Sequence, residues 1–237
     1  MKLARWGIVL ALALTLTCCG RSESYRYKLT LAVDTLEGVE SGSSVVEVRL
    51  FEVNLPERGV MHKLEGEALY LDLGPGKRPL VALLTKYVGP DWGRVPEHNW
   101  SPDGGPGLSY LLRLYGEKPL RDSALDDVAR LAGLRGPRVI RPSDLPDLVT
   151  FANVGNPKSV IAVDPNDLQA TPGPGVKWRD LTIESSDEPV TRGIEMKLPW
   201  LRGFEGSLAH PGARNGLRTS NELADTLGRW NFVQGGQ

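Results

Sequence analysis

From Tyr25 to Asp34 the chain alternates in a way that dictates a strand. Tyr25, Tyr27, Leu29, Leu31 and Val33 take every second place, Arg26, Lys28, Thr30 and Asp34 fall between them, and only Ala32 blurs the pattern. Successive side chains of a strand point to opposite faces, so this segment buries one face and wets the other. Sheets that are wet on one side are antiparallel, which calls for a neighbour through a short connection. Glu37-Gly38 and Ser41-Gly42-Ser43 mark the turn region, and Val45 to Val53 supplies the second strand. Its apolar residues change parity between Leu50 and Phe51, which predicts a β-bulge near Leu50.

The rest of the chain builds on this hairpin. Ala68 to Leu73 reads as a third strand, Gly74-Pro75-Gly76-Lys77 as a turn, and Leu80 to Leu84 as a strand apolar on both faces, hence central. Leu108, Leu111, Leu112 and Tyr115 have amphipathic helical spacing. Ser123-x-x-Asp126 caps a second helix that buries Leu125, Val128 and Leu131 and ends at Gly133 or Gly136. Leu148 to Ala152 and Val176 to Glu184 read as strands, and Asp164-Pro165 starts a helical turn that runs to about Gln169. Pro199-Trp200-Leu201 closes the core. Thr219-x-x-Glu222 predicts a terminal helix with Leu223, Leu227 and Trp230 on one face. The expected fold is α+β: antiparallel β-hairpins forming a β-rich core, with a helical insertion and a short C-terminal helix. The single domain is expected over 25–201, with a long Gly/Pro-rich loop over 88–107 and a C-terminal tail over 202–237.

The first residues say where the chain lives. Lys2 and Arg5 precede Trp6 to Thr17, an uncharged and mostly apolar run of twelve residues. A membrane-spanning helix needs about 20 such residues, so the run is the core of a secretory signal. It ends in Leu16-Thr17-Cys18-Cys19-Gly20. This resembles the lipobox of bacterial lipoproteins, in which a Cys is acylated and becomes the first mature residue. Leu16 favours Cys19 as the acceptor, with Cys18 the alternative. The resemblance implies a signal peptide over 1–18, a tether over 19–24, and a lipid anchor in the membrane. Gly20 in the second mature position implies the outer membrane over the inner one, facing the periplasm. The chain has only these two cysteines. Cleavage before Cys19 therefore leaves no intramolecular disulfide, and stability rests on packing.

Four segments are similar to a group of proteobacterial envelope proteins of unknown function: Lys28 to Arg49, Val163 to Leu168, Pro174 to Glu184 and Glu188 to Leu201. That resemblance implies no activity and no site residues.

Charge excludes one class of partner. The formal net charge is −1, and losing Lys2 and Arg5 with the signal makes the mature chain more acidic, so nucleic acid is not an expected partner. Reaction motifs are sparse. His62, His98 and His210 are the three histidines, none at metal-ligand spacing from another, and there is no G-x-S-x-G elbow or phosphate-binding loop. No cofactor or metal is expected. Nine of the twenty residues from Val88 to Gly107 are Gly or Pro, and this loop carries Trp92, His98 and Trp100. These three are the candidate ligand contacts, the tryptophans offering stacking faces to a sugar or peptide. The competing reading is that the tryptophans pin a Gly/Pro-rich loop to the body, and it is favoured. Asp164 to Asp167 reads as a helix cap rather than a calcium loop, Glu184 to Glu188 as a solvated turn, and Arg135, Arg138 and Arg141 as surface charge. The functional expectation is a lipid-anchored envelope protein without catalytic activity, a binding module for an envelope protein or glycan. The alternative is an envelope hydrolase acting on glycan or peptide through His98.

Overall fold

The computed structural model describes residues 20–53, 59–86, 100, 105–120, 123–212 and 218–235. They form an α+β fold dominated by antiparallel sheets. In chain order, β1 (Ser22–Thr35), β2 (Gly38–Val53) and β3 (Gly59–Glu67) are followed by β4 (Leu69–Leu71) and β5 (Leu80–Ala82). Helices α1 (Leu108–Leu114) and α2 (Ala124–Gly133) come next. They lead into β6 (Arg138–Val139), β7 (Leu148–Phe151), β8 (Val160–Ala162) and β9 (Lys177–Ser185). The chain ends with α3 (Ile194–Lys197), β10 (Gly206–Ser207), β11 (His210–Pro211), α4 (Glu222–Thr226) and β12 (Val233–Gln234). One sheet has six strands in the order β12-β3-β2-β1-β9-β6, and a second has four in the order β4-β5-β7-β8.

The alternating segment is the spine of the larger sheet. Tyr25, Tyr27, Leu29, Leu31 and Val33 are all buried on one face of β1. On the other face, Arg26 pairs with Glu47 at 2.8 Å and Lys28 with Glu188 at 2.6 Å. Burial pushes the Tyr25 and Tyr27 phenols well above their ordinary pKa, so both stay neutral. The β1–β2 hairpin closes tightly, Thr35 opposite Gly38. Ser41-Gly42-Ser43 therefore lie within β2 and not in a turn. The bulge is also displaced from its expected place. Registers of β2 with β1 and with β3 run unbroken through Leu50, whereas the irregularity falls between β1 and β9 at Ala32/Val33. The parity change at Leu50 has another cause: Phe51 and Val53 lie at the far end of β2, beyond the covered part of the sheet, where both faces are partly open.

Two apolar layers flank the smaller sheet. Leu80, Ala82 and Leu84 join the side chains of β1, α1 and α2 in one cluster, while Val81 and Leu83 join Phe151, Leu201, Leu227 and Phe232 in the other. A strand apolar on both faces is thus central, between β4 and β7. Ser123 caps α2, its hydroxyl accepting from the Asp126 N–H at 3.2 Å.

The C-terminal segment is not a tail. Leu208, Ala209, Ala224, Leu227, Phe232 and Val233 are buried in the second cluster, and β12 pairs with β3. Its apolar residues come from short turns rather than one helix, which is why no periodicity marks them as core. The helix α4 is capped by Asn221, whose side chain accepts from the Ala224 N–H at 3.2 Å, and not by Thr219. The chain leaves α4 before Trp230, so that ring does not share the buried face of Leu227.

Candidate functional site

Of the four residues singled out from the sequence, Cys19, Trp92 and His98 lie outside the described residues, as does Cys18. Trp100 is fully buried. Its indole N–H donates to the Leu84 carbonyl at 2.8 Å, and it bridges to Pro106. The same carbonyl accepts the Gly105 N–H at 2.7 Å. Trp100 therefore pins the base of the loop to the segment that follows β5, and it offers no face to a ligand.

The other sequence candidates are engaged within the fold. Arg135 pairs with Asp187 at 3.0 Å, Arg141 with Asp144 at 2.8 Å, and the Arg138 guanidinium lies 4.7 Å from the centre of the Tyr115 ring. Asp164 accepts the Asn166 backbone N–H at 2.8 Å, an Asx turn, and the helical turn starts later, at Leu168. Among the described residues, no three His, Cys, Asp or Glu side chains converge to hold a metal. His210 Nε2 lies 3.5 Å from Asp225 Oδ1. The other carboxylate oxygen accepts the Thr219 N–H at 2.7 Å, so Asp225 serves the loop that leads into α4.

An open groove of about 750 Å³ runs along β3, lined by Val60, Met61, His62, Lys63 and Leu64 on one side and by Trp230, Val233, Gln234 and Gly235 on the other. The pairing of β3 creates it. β2 covers one edge of β3 from Gly59 to Glu65, whereas β12 covers the other edge only at Gly66 and Glu67. Among the described residues, no strand continues that second edge. Antiparallel bonding alternates from residue to residue, and Ala68 gives its N–H to Phe232 at 2.7 Å. Leu64 and His62 therefore turn their N–H and C=O groups to the open edge.

Gly66 makes the transition between these partners possible. A Cβ there would lie 2.9 Å from Val46 Cγ2 and 3.1 Å from Val46 Cα, so only glycine lets β3 press against β2 as it passes over to β12.

Trp230 forms the opposite wall, half-exposed and held at its base. Its neighbour Asn231 is buried: the side chain accepts the Gly228 N–H at 2.7 Å and donates to Thr85 Oγ1 at 2.8 Å. Arg229 donates to the Leu201 carbonyl at 3.1 Å and pairs with Glu195 at 3.0 Å. On its other side, Phe232 packs edge-on to Trp200, their ring centres 5.5 Å apart. With both neighbours locked inward, the Trp230 ring has to face out. The groove thus combines backbone donors and acceptors, an aromatic face, apolar Val60 and Met61, and the cation of Lys63. Such a surface suits binding of an extended chain.

Sequence reading missed this site because β3 carries no alternating signal. Val60, Met61, His62 and Lys63 are all exposed, and Leu64 is the one buried apolar side chain of β3. The exposed Trp230 was the available clue, once its expected helix ended early. Comparison of the chain with protein-family models, with curated proteins and with solved structures finds no match in any of the three.

Proposed function

We propose that the protein is a lipid-anchored cell-envelope protein, facing the periplasm, that works as a binding module without catalytic chemistry. Its ligand is an extended peptide segment of an envelope partner, which adds as a strand to the open edge of β3 and packs side chains against Trp230. The observation that carries this reading is the half-covered edge of β3, where backbone groups of Leu64 and His62 face a groove with a rigid aromatic wall. Strand addition draws its affinity from main-chain hydrogen bonds and its selectivity from pockets for alternate side chains. The lipobox over Leu16 to Cys19 supports the anchor, and the residues lining the groove give no support to the hydrolase alternative.

The test is photo-crosslinking in intact cells, with a photoreactive amino acid at Lys63, at Trp230 or, as a control, at Val39 in the opposite half of β2. The expected result is one shared partner from the first two sites, with the adducts mapping to a single extended segment, and none from Val39. Equal capture from all three sites would refute the groove. Adducts on polysaccharide would replace the peptide with a glycan.

A further inference from the structure

We infer that the end of the large sheet where β1 begins, with Phe51, Val53, Val60 and Met61, rests on the surface of the lipid bilayer. The inference depends on acylation of Cys19 and adds an orientation to it.

The chain leaves no slack between the anchor and the fold. Arg21, two residues after Cys19, accepts the Glu52 N–H on its carbonyl at 3.0 Å and donates its own N–H to the Glu52 carboxylate at 3.3 Å. Its guanidinium pairs with Asp126 in the first turn of α2 at 2.6 Å. Ser22 to Ser24 already belong to β1, paired with Phe51 to Arg49, so the second half of the expected tether over 19–24 is strand. Two residues span at most about 7 Å. The headgroup layer on one side of a bilayer is about 5–8 Å thick. An acyl chain on Cys19 therefore holds Arg21 at the level of the headgroups.

The sheet then determines what else sits there. Ser22 lies opposite Phe51, and Phe51 opposite Met61, while Val53 is paired with Gly59. Strands are spaced about 4.8 Å apart, which puts Met61 roughly 10 Å to the side of Ser22 at the same height. Met61 is 51% exposed and Val60 47%. Apolar side chains on a soluble surface cost free energy that insertion at the headgroup boundary recovers. Two register pairs further in stand the cations Arg49 and Lys63, both exposed. Among the described acids of this end, Glu47 is paired with Arg26 at 2.8 Å and Glu23 with the Arg21 guanidinium at 3.3 Å, while the Glu52 carboxylate accepts the Arg21 backbone N–H. The opposite end also exposes an apolar pair, Leu36 and Val39. It lies thirteen residues along β1, about 43 Å away, too far for the short link from Cys19 to bring it to the bilayer.

The experiment uses the full chain purified from membranes and reconstituted into phosphatidylethanolamine/phosphatidylglycerol vesicles that contain acyl-brominated lipid. A fluorophore is attached through Met61→Cys in one sample, Val60→Cys in a second and Leu36→Cys in a third, with Cys18→Ser in each. The expected result is that bromine quenches the label at 61 or 60 by about half and leaves the label at 36 unchanged. Equal quenching at both ends, or none at 60 and 61, would overturn the inference. So would shielding at 61 that follows protein density instead of brominated lipid, since the occupant would then be a second copy. Intact mass of the same preparations reads acylation separately. A chain without the lipid mass refutes the anchor, whereas a lipidated chain without quenching refutes only the seating.

Discussion

Trp100 offers a quantitative test of the distinction between an anchoring and a ligand-binding aromatic. Its side chain is fully buried, so Trp100→Ala removes a large apolar volume from the core. Such truncations cost about 3–5 kcal/mol. The lost indole hydrogen bond adds about 1 kcal/mol or less, because the Leu84 carbonyl keeps the Gly105 N–H and is not orphaned. For a domain of this size, each kcal/mol lowers Tm by about 2–4 °C, so about 4 kcal/mol lowers it by roughly 8–16 °C. Trp230→Ala is the comparison: its ring is half-exposed, and the expected loss stays within about 1 kcal/mol, or roughly 2–4 °C. The assay is thermal unfolding of both variants, followed by circular dichroism. A Trp100→Ala protein that melts within about 3 °C of wild type would refute the anchoring role.

Asn231→Ala leaves the Gly228 N–H and the Thr85 hydroxyl without their partner in a buried setting, and should cost about 2–4 kcal/mol in urea unfolding. Thr85→Val combined with Asn231→Ala should cost less than the sum of the two single changes, because the orphaned hydroxyl is removed. The Asp126 carboxyl is held below its ordinary pKa, first by the Ser123 hydroxyl and then by the Arg21 guanidinium. A depressed pKa stabilises the fold above the unfolded value, and this contribution is lost as pH falls through the folded one. Ser123→Ala should therefore flatten the acid limb of stability measured from neutral pH to below the usual carboxylate range. Cys19→Ala should abolish metabolic labelling with a fatty-acid analogue, and Cys18→Ala should leave it intact.

Much of the β-rich core could be read directly, because local pattern and burial agree there. The alternation from Tyr25 to Val33 matches the buried face of β1, and the first three residues of the buried apolar run Leu80 to Leu84 form β5, inside its sheet. Ser123 caps the helix it was expected to cap. Legibility fails where burial comes from tertiary contact alone. Leu208, Leu227 and Phe232 are fully buried from turns and a five-residue helix, too short to show a period. β3 is a strand because β2 offers it a register partner, and its own exposed residues announce nothing. The groove forms where β12 stops two residues into the pairing, a feature of three distant segments that no local window contains.

The anchor is the claim on which location, orientation and partner all rest. Mass spectrometry of the N-terminal peptide from protein purified out of the membrane fraction tests it most directly. The account predicts a peptide that begins at Cys19 and carries a diacylglyceryl thioether, with residues 1–18 absent. A mature chain that begins at another residue, or at Cys19 with a free thiol, would contradict it.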